Sequence, residues 1–232
     1  FVYFPLGFTA GPALGKIDKS SLSQQTLMEI LISGITNKEL ICISSENPPE
    51  IYDWENTVFK DGSVHSLYWS SLDLEGTIDI QWLPPTMENL YVMSEYLHGT
   101  IDLTDLPPPV QIVQLCRNSF TGSIDLTRLP NKITRLCLNH NAFTGTVCLS
   151  QLPQSLQHLY LCENRFVGAV DLTHLPKNML DLRLDKNGFE GETDFSHLPE
   201  SLTKFSVENT KLSGDMYITR ATCFFAGNSN VT

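Results

Sequence analysis

Residues 156–176 read LQHLYLCENRFVGAVDLTHLP, and this stretch decides the fold. Leu159 and Leu161 alternate with His158 and Tyr160, the pattern of a short strand that buries one face and leaves the other open. Asn164, Phe166, Gly168, Val170, Asp171, Leu172, Leu175 and Pro176 follow. The same order returns along the chain at a step of 23 residues. Glycine stands at 76, 99, 122, 145, 168, 191 and 214, and proline at 84, 107, 130, 153, 176 and 199. Half of the 14 glycines and six of the 13 prolines therefore share one register, the mark of an internal repeat and of coils stacked one on the next.

Each part of the unit has a physical task. The Asn column (Asn118, Asn141, Asn164, Asn187) is expected to bond the backbone of neighbouring coils, because a buried amide must be satisfied. Phe120, Phe143, Phe166 and Phe189 are expected to stack into an aromatic spine, continued by Leu74, Leu97 and Leu212. The segment after the glycine, Ile-Asp-Leu in two copies and a variant of it in the others, reads as a second short strand, and Leu-Pro closes the coil. Asp79, Asp102, Asp125, Asp171 and Asp194 form a column broken by Cys148; the expectation is a turn in which each Asp caps nearby N–H groups, with an acidic stripe for cations or a basic partner as the alternative.

The unit LxxLxLxxNxFxGxIDLxxLP resembles the leucine-rich-repeat family over roughly residues 64 to 218. Its NxFxGxI half is similar to the plant-type subclass, and its LPxxLxxL half to bacterial effector and protist members. The resemblance implies an α/β repeat fold: a right-handed solenoid with a concave parallel β-sheet, second short strands or turns outside, and an N-terminal helical cap. The expected divisions are 1–63 for a tail and cap, 64–218 for seven repeats, and 219–232 for a C-terminal cap or tail. Within the first, Ser21 to Gln24 reads as a capping box, Leu27, Ile30 and Leu31 follow at helical spacing, and Gly34 is the stop. Asp61-Gly62 reads as a turn into a first strand at Val64. The paired cysteines typical of the plant-type cap are missing, since only Cys42 is there.

Composition excludes several classes. With 41% apolar and 18% charged residues the chain is globular, and a net charge of −11 disfavours a phosphate backbone as partner, so no nucleic acid is expected. No apolar run approaches the length of a transmembrane helix. No phosphate loop, HExxH, GxSxG or CxxC occurs, and an open arc of coils encloses no reaction pocket, so no enzyme and no cofactor are expected. The apolar tail from Phe1 to Phe8 is expected to pack on its own domain or on a neighbouring subunit. Asn230-Val231-Thr232 is the sole N-glycosylation pattern.

Function is expected where the strand side chains face out. The register sets four columns there. They are Ser66, Asn89, Ile112, Arg135, His158, Asp181 and Lys204; Tyr68, Tyr91, Gln114, Cys137, Tyr160, Arg183 and Ser206; Ser70, Met93, Cys116, Asn139, Cys162, Asp185 and Glu208; and Ser71, Ser94, Arg117, His140, Glu163, Lys186 and Asn209. These columns hold five basic and four acidic residues, so the chain's acidity lies elsewhere. The expected partner-binding residues are Tyr68, Tyr91, Met93, Arg135, His158, Tyr160, Arg183, Asp181 and Asp185, aromatic anchors and charges that set register. The expected role is a protein-interaction module or scaffold, possible as one subunit of an assembly. The alternatives are an extracellular or cell-surface receptor-like domain, and a metal or redox site at Cys116, Cys137 and Cys162 with His140 or His158. Diagonal neighbours lie too far apart to pair as disulfides, and exposed free thiols point to a reducing, intracellular compartment.

Overall fold

The computed structural model describes residues 18–44, 48–216 and 223–232, so the expectation for the Phe1–Phe8 tail lies outside the described residues. Among the described residues the chain coils into a solenoid with two sheets. The inner sheet has nine strands, in the order Thr57–Lys60, Ser63–Tyr68, Asn89–Tyr91, Ile112–Gln114, Arg135–Cys137, His158–Tyr160, Asp181–Arg183, Lys204–Ser206 and Cys223–Phe225. The first pair is antiparallel and every later pair is parallel. The outer sheet has eight short strands, Glu75–Gly76, Tyr96–Thr100, Ser119–Gly122, Ala142–Gly145, Arg165–Gly168, Gly188–Glu192, Lys211–Gly214 and Asn230–Val231.

The inner register is the one that the 23-residue step dictates: Ser66 pairs with Asn89, Asn89 with Ile112, and so on to Asp181 with Lys204. The outer strands sit one step earlier than expected. In the four middle coils they run through the Phe and end at or just past the Gly, whereas Val170-Asp171-Leu172 makes no ladder. The reason is local. Asp171 Oδ1 accepts the N–H of Thr173 at 2.9 Å, which bends the chain away from its neighbour. Leu-Pro then opens a β-turn, with each Pro carbonyl accepting the N–H three residues on, as from Ile133 to Pro130 at 3.1 Å.

The interior is leucine with an aromatic spine. Phe120, Phe143, Phe166 and Phe189 are fully buried, and their rings stack at 6.3, 6.2 and 6.0 Å. Beside them runs the Asn ladder. Asn141 Nδ2 donates to Leu115 O and Leu138 O, and its Oδ1 accepts from Phe120 N at 3.0 Å, so one amide joins two coils. Asn164 and Asn187 repeat this. In the second coil Glu95 takes the Asn position. Its carboxylate, 5% exposed, accepts from Leu72 N and from Leu74 N at 2.7 Å. Burial nevertheless pushes its pKa up. Asn118 Oδ1 next to it is buried and accepts no hydrogen bond among the described residues.

Two end segments differ from the sequence expectation. The helix Gln24–Leu31 is capped by Ser23, whose side chain accepts from Thr26 N, while Ser21 belongs to a preceding turn capped by Asp18. Leu27, Met28 and Leu31 face inward. Gly34 and Gly76 meet backbone to backbone, with Thr77 N donating to Gly34 O and Thr36 N to Glu75 O, both at 2.9 Å. Ahead of Val64, Thr57–Lys60 is a strand of its own that closes a hairpin at Asp61-Gly62 and forms the first edge of the inner sheet. At the far end Cys223–Phe225 and Asn230–Val231 extend both sheets, so residues expected as a cap or tail form an eighth coil. No helix among the described residues is long and apolar enough to cross a membrane.

The Asp column is structural. Asp102, Asp125, Asp171 and Asp194 each accept a hydroxyl, from Thr104, Thr127, Thr173 or Ser196, and the N–H of the same residue. The hydroxyl first, and the N–H next, hold these carboxyls below their ordinary pKa. A depressed folded-state value stabilises the fold above the unfolded value near about 3.9 and stops doing so as pH falls through the lower one. Unfolding free energy should therefore drop below about pH 4, and Asp125→Asn/Asp171→Asn should flatten that drop. Denaturant titrations at stepped pH check this, and an unchanged slope in the double variant counts against it.

Candidate functional site

The open face of the inner sheet carries all nine expected partner-binding residues, seven of them in two groups. Tyr68 and Tyr91 end paired strands, and their rings stack at 4.8 Å with 14° between planes. Tyr68 is 45% exposed, and Met93 lies half-buried beyond Tyr91. Val58, opposite Ser66 in the antiparallel pair and exposed, widens this apolar patch. Sequence reading missed Val58. The Thr57-Val58-Phe59 run before Asp61-Gly62 was the available hairpin signal.

The second group is interlocked. Asp181, only 4% exposed, accepts from Tyr160 OH at 3.0 Å and from Arg183 Nε at 3.2 Å. The Arg183 guanidinium lies 5.4 Å over the Tyr160 ring, and His158 meets that ring edge-on at 6.2 Å. Burial, then the bond to Asp181, pushes the Tyr160 hydroxyl up to about 12, so it stays a donor. Burial, then the neighbouring Arg135 charge, lowers His158, which keeps its imidazole neutral at pH 7. Each of these groups fixes another, so together they form a stiff platform.

Between the two groups stands Arg135. It is half-buried, and no described residue bonds or pairs with its side chain. Its charge is felt at Tyr91, His158 and Tyr160. Two of the four acids of the face are engaged elsewhere, Asp181 as above and Glu163 with Lys186 at 2.5 Å and His140 at 3.0 Å. Asp185 sits on the same face, half-buried.

Along the rim the backbone of Ser71, Ser94, Arg117, His140, Glu163, Lys186 and Asn209 is left-handed, with φ between 53° and 60°. Each of these residues donates its N–H to the next coil, as from Arg117 to Asn139 O at 3.0 Å.

The three thiols of the face are packed rather than exposed. Cys137 and Cys162 are buried beneath their longer neighbours and Cys116 half-buried, and all six cysteines are free. Burial pushes Cys137 and Cys162 up to about 12 and raises Cys116 as well. Neutral thiols are poor metal ligands and poor nucleophiles. Among the described residues no three His, Cys, Asp or Glu side chains group as a metal site. The reading of a metal or redox centre at these three cysteines loses its basis, and the exposed free thiols are instead Cys148 and Cys223, away from this cluster.

No family model matches the chain, and no curated protein matches it. Solved structures do. The chain superimposes on Pollen Receptor Kinase 3 with a TM-score of 0.56 and 22% identity, covering 90% of this chain and 95% of that one. On the plant peptide hormone receptor RGFR1, solved in complex with RGF2, the TM-score is 0.54 at 24% identity, covering 80% of this chain and 30% of that one. On the BIR2 ectodomain from Arabidopsis thaliana it is 0.52 at 16% identity, covering 77% and 98%. At these identities the likeness is one of fold, and it agrees with the repeat, the parallel inner sheet and the Asn ladder: the chain is a leucine-rich-repeat solenoid.

Proposed function

We propose that the open, concave face of the inner sheet binds a partner protein, in a non-catalytic interaction module. One observation carries this reading: an exposed aromatic stack, Tyr68 on Tyr91, lies beside a guanidinium, Arg135, that nothing in the described chain neutralises. Tyrosine and arginine held on a stiff sheet give contact area and a directional charge at little entropic cost. Tyr68, Tyr91, Met93 and Arg135 are the anchors, and Asp185 sets register. His158, Tyr160, Asp181 and Arg183 hold the platform on which a partner rests.

A second reading, an extracellular ligand-binding domain, is favoured by the BIR2 chain, which is an ectodomain, and by RGFR1, a peptide hormone receptor solved with RGF2. Both readings use the same face. The triple variant Tyr68→Ala/Tyr91→Ala/Arg135→Glu tests it. Captured partners should bind at least about a hundredfold more weakly, since anchors of this kind carry about 2 kcal/mol or more each. Quantitative pull-down from the native source, with denaturant unfolding as the folding control, reads the effect. A partner set unchanged by the triple variant rejects the proposal.

A further inference from the structure

The outer loops of two successive coils carry the same arrangement, Asp171-Leu172-Thr173-His174 and Asp194-Phe195-Ser196-His197. In each, one carboxylate oxygen is held by the hydroxyl of Thr173 or Ser196, both at 2.6 Å. The other faces the imidazole, at 3.4 Å from His174 Nδ1 and 3.0 Å from His197 Nδ1. Nδ1 also meets the hydroxyl oxygen, at 2.8 Å in His174 and 3.0 Å in His197. That hydroxyl donates to the carboxylate and an ionised carboxylate only accepts, so Nδ1 carries the proton and Nε2 keeps its lone pair. Both side chains are well exposed, 68% for His174 and 63% for His197. A carboxylate behind Nδ1–H with Nε2 left free is the arrangement that orients a metal-binding histidine.

The turn itself does not require this. At the same position of an earlier coil, Trp82 Nε1 donates to Asp79 Oδ2 at 3.1 Å and completes the turn with a ring that has no second nitrogen. Gln151 stands there one coil before His174. The second imidazole nitrogen is therefore surplus to the fold, and it occurs in two coils that adjoin. The two loops belong to adjoining coils, joined through Gly168 with Phe189 before the loops and by Ser201 Oγ bonded to Lys177 O at 2.8 Å after them. The two histidines thus stand on adjoining coils, whose paired strands lie about 5 Å apart. From there exposed imidazoles can turn both Nε2 atoms onto one ion at bonds of about 2.0–2.1 Å.

We propose that His174 and His197 form a two-imidazole site for a divalent transition metal of the zinc, nickel or copper class, with water completing the coordination. Imidazole nitrogen suits those ions and not calcium or magnesium. The site lies on the outer loops, apart from the open face of the inner sheet, and does not depend on the function proposed for that face.

Calorimetric titration of zinc chloride into the chain tests it, on a Cys148→Ser/Cys223→Ser background that removes the exposed thiols. One ion should bind per chain. His174→Gln and His197→Gln should each weaken binding at least about tenfold, and the two together should abolish it. Glutamine keeps an N–H donor for the aspartate, and unchanged thermal unfolding without metal verifies the fold. Saturating zinc should raise the melting temperature of the background protein and not that of the double variant. Zinc binding that survives in the double variant overturns the proposal, as does an absence of binding heat in the background protein.

Discussion

Phe143→Ala is expected to destabilise the protein by about 4 kcal/mol, within the range for deleting a buried aromatic ring. The ring sits between Phe120 and Phe166 in the spine and is wholly buried, so its removal opens a void with stacked neighbours on both sides. Little can collapse into it, because each neighbouring ring is fixed by the next coil. Leucine is the informative comparison. Leu74, Leu97 and Leu212 fill the same column in other coils and are fully buried there, so Phe143→Leu should cost less than about 1.5 kcal/mol. Equilibrium urea unfolding of both variants reads the difference. A solenoid couples each coil to its neighbours, so the loss should move the whole transition rather than split it. Equal costs for alanine and leucine would mean that the spine is not packed as described.

Gly76→Ala is expected to cost about 3 kcal/mol or more, from two sources. The residue has φ of 105°, a conformation that side chains resist, and a Cβ there would lie 2.2 Å from Gly34 O. Backbone cannot swing aside as a side chain does, so the chain at Gly34 must retreat. The bonds Thr77 N to Gly34 O and Thr36 N to Glu75 O would loosen with it. Gly145 provides the control. Its φ is 81°, and the nearest atom to a Cβ would be Ser123 Cβ at 3.3 Å, so Gly145→Ala carries conformational strain with little collision. Amide exchange should show residues 24–42 opening in Gly76→Ala and staying protected in Gly145→Ala. Similar stability loss and similar exchange in the two variants would refute the docking of the helical segment through this contact.

What the sequence disclosed follows from periodicity. A 23-residue step fixes which residues are neighbours across the inner sheet, so Tyr68 beside Tyr91 and Tyr160 beside Arg183 were legible before any coordinates. Depth was not. Asp181 and Cys137 alternate outward, yet both are buried, because long side chains from adjoining strands lie over them. Interlocking was not legible either, since a column shows proximity and not the Tyr160–Asp181–Arg183 bonds. The eighth coil escaped because its period breaks: Lys204 pairs with Cys223, a step of 19 rather than 23 residues, and Cys-Phe-Phe carries no leucine pattern. The hairpin strand Thr57–Lys60 lies before the first repeat and has no period to reveal it.

The left-handed rim has a consequence for how such a surface can change. A positive φ usually restricts the choice of residue, with Gly or Asn preferred. Here the backbone is pinned by its hydrogen bond to the next coil, and Ser, Arg, His, Glu, Lys and Asn all occupy the position in one molecule. The fold accepts the strain and leaves the side chain unspecified. Seven successive sites along the rim can then be rewritten, in charge and in reach, without disturbing the leucines beneath them, although His140, Glu163 and Lys186 are paired with one another. Recognition can diverge there while the architecture stays fixed.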